Sequence, residues 1–177
     1  MKANDFFEAP SGRSFQLSSE LKNLYQEAIA DIDNKGKKFE DFCKAFFESI
    51  EGFECELNIK GPNEIDIMIA NKSEDPFLSK LGPCIYVECK NRKAKVNIND
   101  VVKVKENAKT YYGPNCKLAI LITTSELTRR AKSRLFPADH VQLVVIDKKD
   151  LEEFFRIKLE PKSFLIQKII KSPEKAK

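Results

Sequence analysis

Glu64-Ile65-Asp66-Ile67-Met68-Ile69 and Ile85-Tyr86-Val87-Glu88-Cys89-Lys90 decide how this chain is read. In each, apolar residues alternate with ionisable or polar ones, the period of a β-strand. Side chains two apart in a strand share a face, so Glu64 projects with Asp66 and Glu88 with Lys90. Both stretches follow a glycine–proline pair, Gly61-Pro62 and Gly82-Pro83, that marks a turn. Such alternation is also what any half-solvated strand shows, and Glu88 with Lys90 also fits a surface ion pair. Position tips the balance: elements flank both strands in sequence, and central strands rarely carry charge without a use for it.

Upstream, Ser18 or Ser19 offers an N-cap, and Leu21, Leu24, Tyr25, Ala28 and Ile32 recur at helical spacing. The residues before them read as an irregular arm, and Asn34-Lys35-Gly36 reads as the helix end. A second helix is expected over 38–50, with Phe39, Phe42, Cys43, Phe46 and Phe47 as its apolar stripe. Glu40 and Asp41 fall in its first turn, where a carboxylate favours the helix dipole. A strand over 54–59 and the turn Lys60-Gly61-Pro62-Asn63 lead into the first signature strand. After the second, helices over 99–112, 126–136 and 149–155 alternate with strands over 117–123 and 140–146. That alternation implies parallel or mixed pairing in a sheet covered on both faces. Phe164, Leu165, Ile166, Ile169 and Ile170 then predict an appended helix or a partner contact. The expected division is an arm and accessory helix over 1–35, an α/β core over 36–156 and a helical tail over 157–177.

With 177 residues, 42% hydrophobic, the chain suits one α/β domain with a sizeable core. A net charge of +4 permits a nucleic-acid partner without demanding one. The five cysteines, Cys43, Cys55, Cys84, Cys89 and Cys116, are scattered, with no C-x-x-C pair. They read as reduced, small hydrophobes, and a zinc site is not expected. His140 is the single histidine, which removes the raw material for Ser-His-Asp or Cys-His hydrolysis. No apolar run approaches the ~20 residues of a membrane span. The N-terminus lacks an apolar leader, so a cytoplasmic protein is expected.

Carboxylates, lysines and oxygen-bound metal therefore have to carry any hydrolysis. Mg²⁺ prefers oxygen ligands, commonly one or two carboxylates with waters retained. Asp66 and Glu88 are the natural ligands if their strands are neighbours, and the backbone carbonyl of Cys89 could add a third. Lys90, one pleat from Glu88, could orient water or offset charge at a phosphorus. Basic residues cluster at Lys35, Lys37 and Lys38, at 90–95, and at Arg129, Arg130, Lys132 and Arg134. Such runs also arise as solvated helix faces. Read functionally, Lys38, Asn91, Arg92, Lys93, Lys95, Arg129 and Arg130 are the expected contacts to a DNA backbone, which position a duplex without reading its sequence.

Asp66, a spacer, and Glu88-Cys89-Lys90 resemble the PD-(D/E)xK nuclease superfamily, with Ile65 where the proline of the name would stand. The wider order is similar to the Mrr-type restriction endonuclease branch. Gly36-Lys37-Lys38-Phe39-Glu40 resembles its first core helix, and Gly61 to Asp66 its Gly-x-x-x-x-Asp strand. Leu121-Ile122-Thr123-Thr124-Ser125-Glu126-Leu127-Thr128 and Val144-Val145-Ile146-Asp147 resemble its later segments. The resemblance spans about residues 36–156. It implies a restriction-endonuclease-like α/β core with a central mixed β-sheet flanked by helices, plus the N-terminal accessory helix. It also implies a Mg²⁺- or Mn²⁺-dependent DNA endonuclease of genome defence, with Glu40 as a further carboxylate at the site. No recognition module is discernible, so a homodimer or a partner subunit is expected to supply targeting. A Holliday-junction-resolvase-like nuclease, or a silent DNA-binding or assembly module of the same fold, are the alternatives.

Overall fold

The computed structural model describes residues 12–31, 36–60, 64–133, 135 and 141–172. Two helices open the described chain, α1 (Gly12–Ala30) and α2 (Lys37–Glu48), followed by strands β1 (Phe53–Ile59), β2 (Ile65–Asn71) and β3 (Cys84–Lys90). Helix α3 (Ile98–Tyr112), strand β4 (Leu118–Thr123), the short helix α4 (Arg129–Ser133) and strand β5 (Gln142–Ile146) come next. Helices α5 (Lys148–Ile157) and α6 (Pro161–Lys171) close the described chain.

The strands form one sheet in the order β1-β2-β3-β4-β5. The first three pair antiparallel and the last three parallel, the mixed arrangement that the switch from strand–turn–strand to strand–helix–strand predicts. Ile120 and Ile122 point into a large core with the stripes of α1, α2, α5 and α6, while Ala119 and Leu121 point into a smaller core under α3 and α4. Both faces are covered, which is why β4 is apolar at nearly every position. Phe46 meets Phe47, Phe154 and Phe164 edge-on, binding α2, α5 and α6 into the large core. Each such pair adds about 0.5–1.5 kcal/mol beyond its burial. Lys168 and Asp150, 2.5 Å apart, tie α6 to α5.

Two expectations change. Helix α1 begins at Gly12, so Ser18 and Ser19 lie inside it rather than capping it; Leu17 already packs against the large core, which extends the helix past the sequence signal. The helix expected over 126–136 is only Arg129–Ser133. The preceding backbone is spent elsewhere: Val96 N–H donates to the Glu126 carbonyl and Thr128 N–H to the Val96 carbonyl, both at 2.9 Å. Thr128 then caps α4, its hydroxyl accepting from the Ala131 N–H at 3.2 Å. Residues 1–11, Ile32, Asn34, Lys35, the turn at Gly61-Pro62-Asn63, Arg134, Phe136 and His140 lie outside the described residues.

Candidate active site

Antiparallel pairing of Ile67 with Val87 and Met68 with Tyr86, continued one step, sets Asp66 opposite Glu88. On the other side of β2, Leu57 pairs with Ile67 and Ile59 with Ile65, so Asn58 falls opposite Asp66. Asn58 breaks the ladder there with φ of 52°, a left-handed conformation that asparagine tolerates better than most residues. Its side chain hydrogen-bonds Glu40. Helix α2 brings Glu40 to this end of the sheet from Gly36, whose φ of 75° suits glycine. Glu40, Asn58, Asp66 and Lys90 thereby line one cleft of about 650 Å³, with Gly36, Lys37 and the Cys89 segment in its wall.

Charge is unevenly distributed in this cleft. The Asp66 carboxyl is pushed up to about 6, first by burial and then by the charge of Glu88, against the hydrogen bond from Cys89 N–H and the attraction of Lys90. Glu40 is pushed up to about 7 by burial and then by Asp66, with Asn58 opposing. Glu88, between the cleft-lining Asp66 and Lys90, is itself buried, 4% exposed, and does not line the cleft. Its Oε1 accepts from the Lys90 ammonium at 2.5 Å and its Oε2 from the Tyr86 hydroxyl at 2.7 Å. Burial alone would lower the Lys90 ammonium, but the hydrogen bond and charge of Glu88, with Asp66 and Asp100, hold it above its ordinary value. Lys90 is thus a cation in this arrangement.

Beneath, the thiols of Cys43 and Cys89 hydrogen-bond each other, tying α2 to β3, and burial pushes both thiols up. All five cysteines are free.

The remaining candidates separate. Asn91 is held structurally, its amide donating to the Ala28 carbonyl at 3.0 Å and its oxygen accepting from the Thr124 hydroxyl at 2.9 Å. Arg92 lines the cleft, pairs with Asp100, and has a buried Nε with no hydrogen-bond partner among the described residues. Lys93, Arg129 and Arg130 are exposed. Lys38 is exposed and lies 4.0 Å from Asp31, and Lys95 is 3.2 Å from Glu126. Lys37, of the first basic cluster, lines the cleft.

Residue spacing had not pointed to Asn58, Tyr86 or the threonines. Thr123 donates to the Lys90 carbonyl at 2.9 Å, and the Thr124 hydroxyl accepts from Arg92 N–H at 3.2 Å, so the Thr-Thr-Ser segment fixes the exit of β3. The signal for that segment was present in the sequence as an uninterrupted polar run after an apolar strand. Asn58 gave none, because an asparagine in an alternating strand looks like any solvent-facing residue.

A five-stranded mixed sheet sandwiched between helices, with carboxylates and a lysine where β2 and β3 meet, defines a restriction-endonuclease-like α/β domain. Residues 32–155 match the Mrr_cat restriction endonuclease family, and the chain belongs to that family. It is therefore a nuclease-family domain.

Among solved structures, the DNA modification-dependent restriction endonuclease AspBHI shares 11% identity at a TM-score of 0.51, over 98% of this chain and 45% of that one. A protein of unknown function, AF1548, shares 14% identity at a TM-score of 0.46, over 78% and 94%. EndoMS, in a complex with double-stranded DNA, shares 18% identity at a TM-score of 0.38, over 84% and 50%. At such identity, the likeness to AspBHI speaks for the fold. The chain spans less than half of AspBHI. No curated protein matches the chain. No described helix is long and apolar enough to cross a membrane.

Proposed function

We propose that this domain is a DNA endonuclease of the restriction or defence type that cleaves phosphodiester bonds with Mg²⁺ or Mn²⁺. The observation that carries the reading is the excess of carboxylate at the cleft: Glu40 is driven up by burial and by Asp66, and Asp66 by burial and by Glu88, while the nearby ammonium of Lys90 is already committed to Glu88. A divalent cation relieves that repulsion. Among the described residues no three His, Cys, Asp or Glu side chains form a ready-made cage. Mg²⁺ does not require one, since it keeps several waters and takes one or two carboxylates.

Asp66 and Glu88 would hold the cation with the Cys89 carbonyl, and Glu40 would support them. Bound there, the cation would supply Lewis-acid polarisation of a phosphoryl oxygen and a more acidic water. Lys90 offsets negative charge as it builds on the phosphate, and Asn58 orients Glu40. Lys37 and Arg92, in the cleft wall, together with Lys38, Asn91, Lys93, Lys95, Arg129 and Arg130, are the proposed DNA-contacting set. Those contacts position a duplex without reading its sequence, so target choice is proposed to come from a second copy or a partner subunit.

Plasmid incubated with Mg²⁺ or Mn²⁺, beside Asp66→Asn and Lys90→Ala, tests the assignment. Cutting by the wild type and not by the variants is expected. Equal cutting by all three would remove the site from this cleft. Binding without cutting under every metal and partner would favour a silent module, and preference for branched junctions would favour a resolvase.

A further inference from the structure

Two buried polar groups stand in a row behind Glu88, and neither lines the cleft. The Tyr86 hydroxyl donates to Glu88 Oε2 at 2.7 Å, and the Asn107 amide donates to that hydroxyl at 3.2 Å. Tyr86 is 0% exposed and Asn107 5%. Their surroundings are the smaller core, including Val104, Ala108, Ala119 and Leu121. Phenylalanine and leucine would pack there without polar atoms to satisfy, and burying a hydroxyl and an amide is costly unless they are hydrogen-bonded. Packing alone therefore does not account for Tyr86 and Asn107.

The geometry accounts for them through Glu88. A carboxylate on a strand can rotate and exchange its two oxygens. Here each oxygen has a different kind of donor: Oε2 a neutral hydroxyl on a fully buried ring, Oε1 an ammonium on a flexible side chain that is 24% exposed. A tyrosine hydroxyl has one proton and can also accept. The Asn107 amide fills the accepting role and turns the proton towards Glu88. Helix α3, which carries Asn107, is itself fastened beside the exit of β3, because Asp100 completes the capping box with Asn97 and also holds Arg92.

We propose that Tyr86 and Asn107 are positioning residues for the nuclease site. Asn107 aims the Tyr86 hydroxyl, and Tyr86 pins Oε2 of Glu88, so that only Oε1 is presented to the cleft. Lys90 can then leave Oε1 for a phosphate, or yield it to a cation, while Glu88 stays in place. The proposal rests on the reading of Glu88 and Lys90 as functional groups given above.

The test uses the full chain as Tyr86→Phe, Asn107→Leu and Asn107→Gln, with Lys90→Ala as the control for the site itself. Three quantities are read: Mn²⁺ affinity without DNA, from the paramagnetic resonance of the free ion; kcat and KM on plasmid; and the melting temperature. Tyr86→Phe and Asn107→Leu are expected to keep KM and to lose on the order of 10–100-fold in Mn²⁺ affinity and kcat, the usual cost of removing a group that orients a ligand. Asn107→Gln, which retains the amide, is expected to recover most of the loss. Wild-type Mn²⁺ affinity and kcat in Tyr86→Phe, beside an inactive Lys90→Ala, would overturn the positioning role and leave the site reading standing. Undiminished cutting by Lys90→Ala, or no Mn²⁺ binding by the wild type, would overturn both. If Tyr86→Phe does not fold, Asn107→Leu and its glutamine counterpart decide by the same readouts.

Discussion

The backbone N–H of Cys89 donates a 2.7 Å hydrogen bond to Oδ2 of Asp66, so the strand that carries Glu88 and Lys90 also aims the carboxylate of its neighbour. That bond favours the ionised carboxylate, while burial and the charge of Glu88 oppose it more strongly. Asp66 is therefore held in place at a cost to the metal-free protein. Asp66→Asn keeps an acceptor for the Cys89 amide and removes the charge. It is expected to gain about 1–2 kcal/mol of stability near pH 8, after allowance for solvent screening. Cleavage is expected to fall on the order of 10²-fold or more. Urea unfolding beside a plasmid assay checks both, and a destabilised Asp66→Asn would mean that the carboxylate is not under stress.

The same groups set a pH dependence. Asp66 rises from 3.8 to about 6 and Glu40 from 4.5 to about 7, so between those values the native protein holds more protons than the unfolded chain. Their contribution is fully present below the unfolded values and drains as pH rises towards about 7. Metal-free stability is accordingly expected to decline over that window, and saturating Mg²⁺ to flatten the decline by occupying the ionised site. Denaturant titrations across the window, with and without Mg²⁺, measure the difference. Two superimposable curves would argue against a cation held at Asp66 with Glu40 in support.

Lys90 and Glu88 form a largely buried pair, with side chains 24% and 6% exposed. Removing one partner leaves the other charge stranded, which costs more than the pair is worth. Lys90→Met is expected to lose roughly 2–4 kcal/mol, short of the fully buried range because part of the lysine meets solvent. The double variant with Glu88→Gln should recover most of that stability without recovering cleavage. A double-mutant cycle by thermal unfolding isolates the coupling. Additive losses would show that the two side chains do not depend on one another.

What could be read ahead of the structure follows from which interactions are local. Alternation is a local property, so the shared face of Glu88 and Lys90 and the mixed sheet were visible in the order of strands and helices. Register is set between strands, and only the pairing of Met68 with Tyr86 shows that Asp66 meets Glu88. Tyr86 is not singled out by the sequence, because the role of its hydroxyl depends on Asn107, which α3 brings to it from 21 residues further along the chain. Asn58 was hidden for another reason: its positive φ is imposed at the break in the β1–β2 ladder, and no neighbouring glycine or proline announces it. Asn91 lines the cleft within the expected basic run, and the sequence gives no sign of its second role, in which its amide joins α1 to the Thr124 segment across long sequence separations.

The surface lysines differ in what already neutralises them, and salt dependence should reveal it. Lys37 lines the cleft, whereas Lys95 and Lys149 both lie 3.2 Å from Glu126. A lysine that meets a phosphate contributes about 0.9 to the slope of log K against log salt on B-DNA. Lys37→Ala is expected to lower the slope by about that amount, and Lys95→Ala by less, because Glu126 already offsets its charge. Glu126→Gln should then act in the opposite direction, releasing two cations, tightening binding and steepening the slope. Anisotropy of a labelled duplex between about 50 and 200 mM salt, without divalent metal, provides the measurement. If Lys37→Ala leaves the slope unchanged while Lys95→Ala lowers it, the duplex path runs along the Lys95 side, and the cleft wall at Lys37 is not part of it.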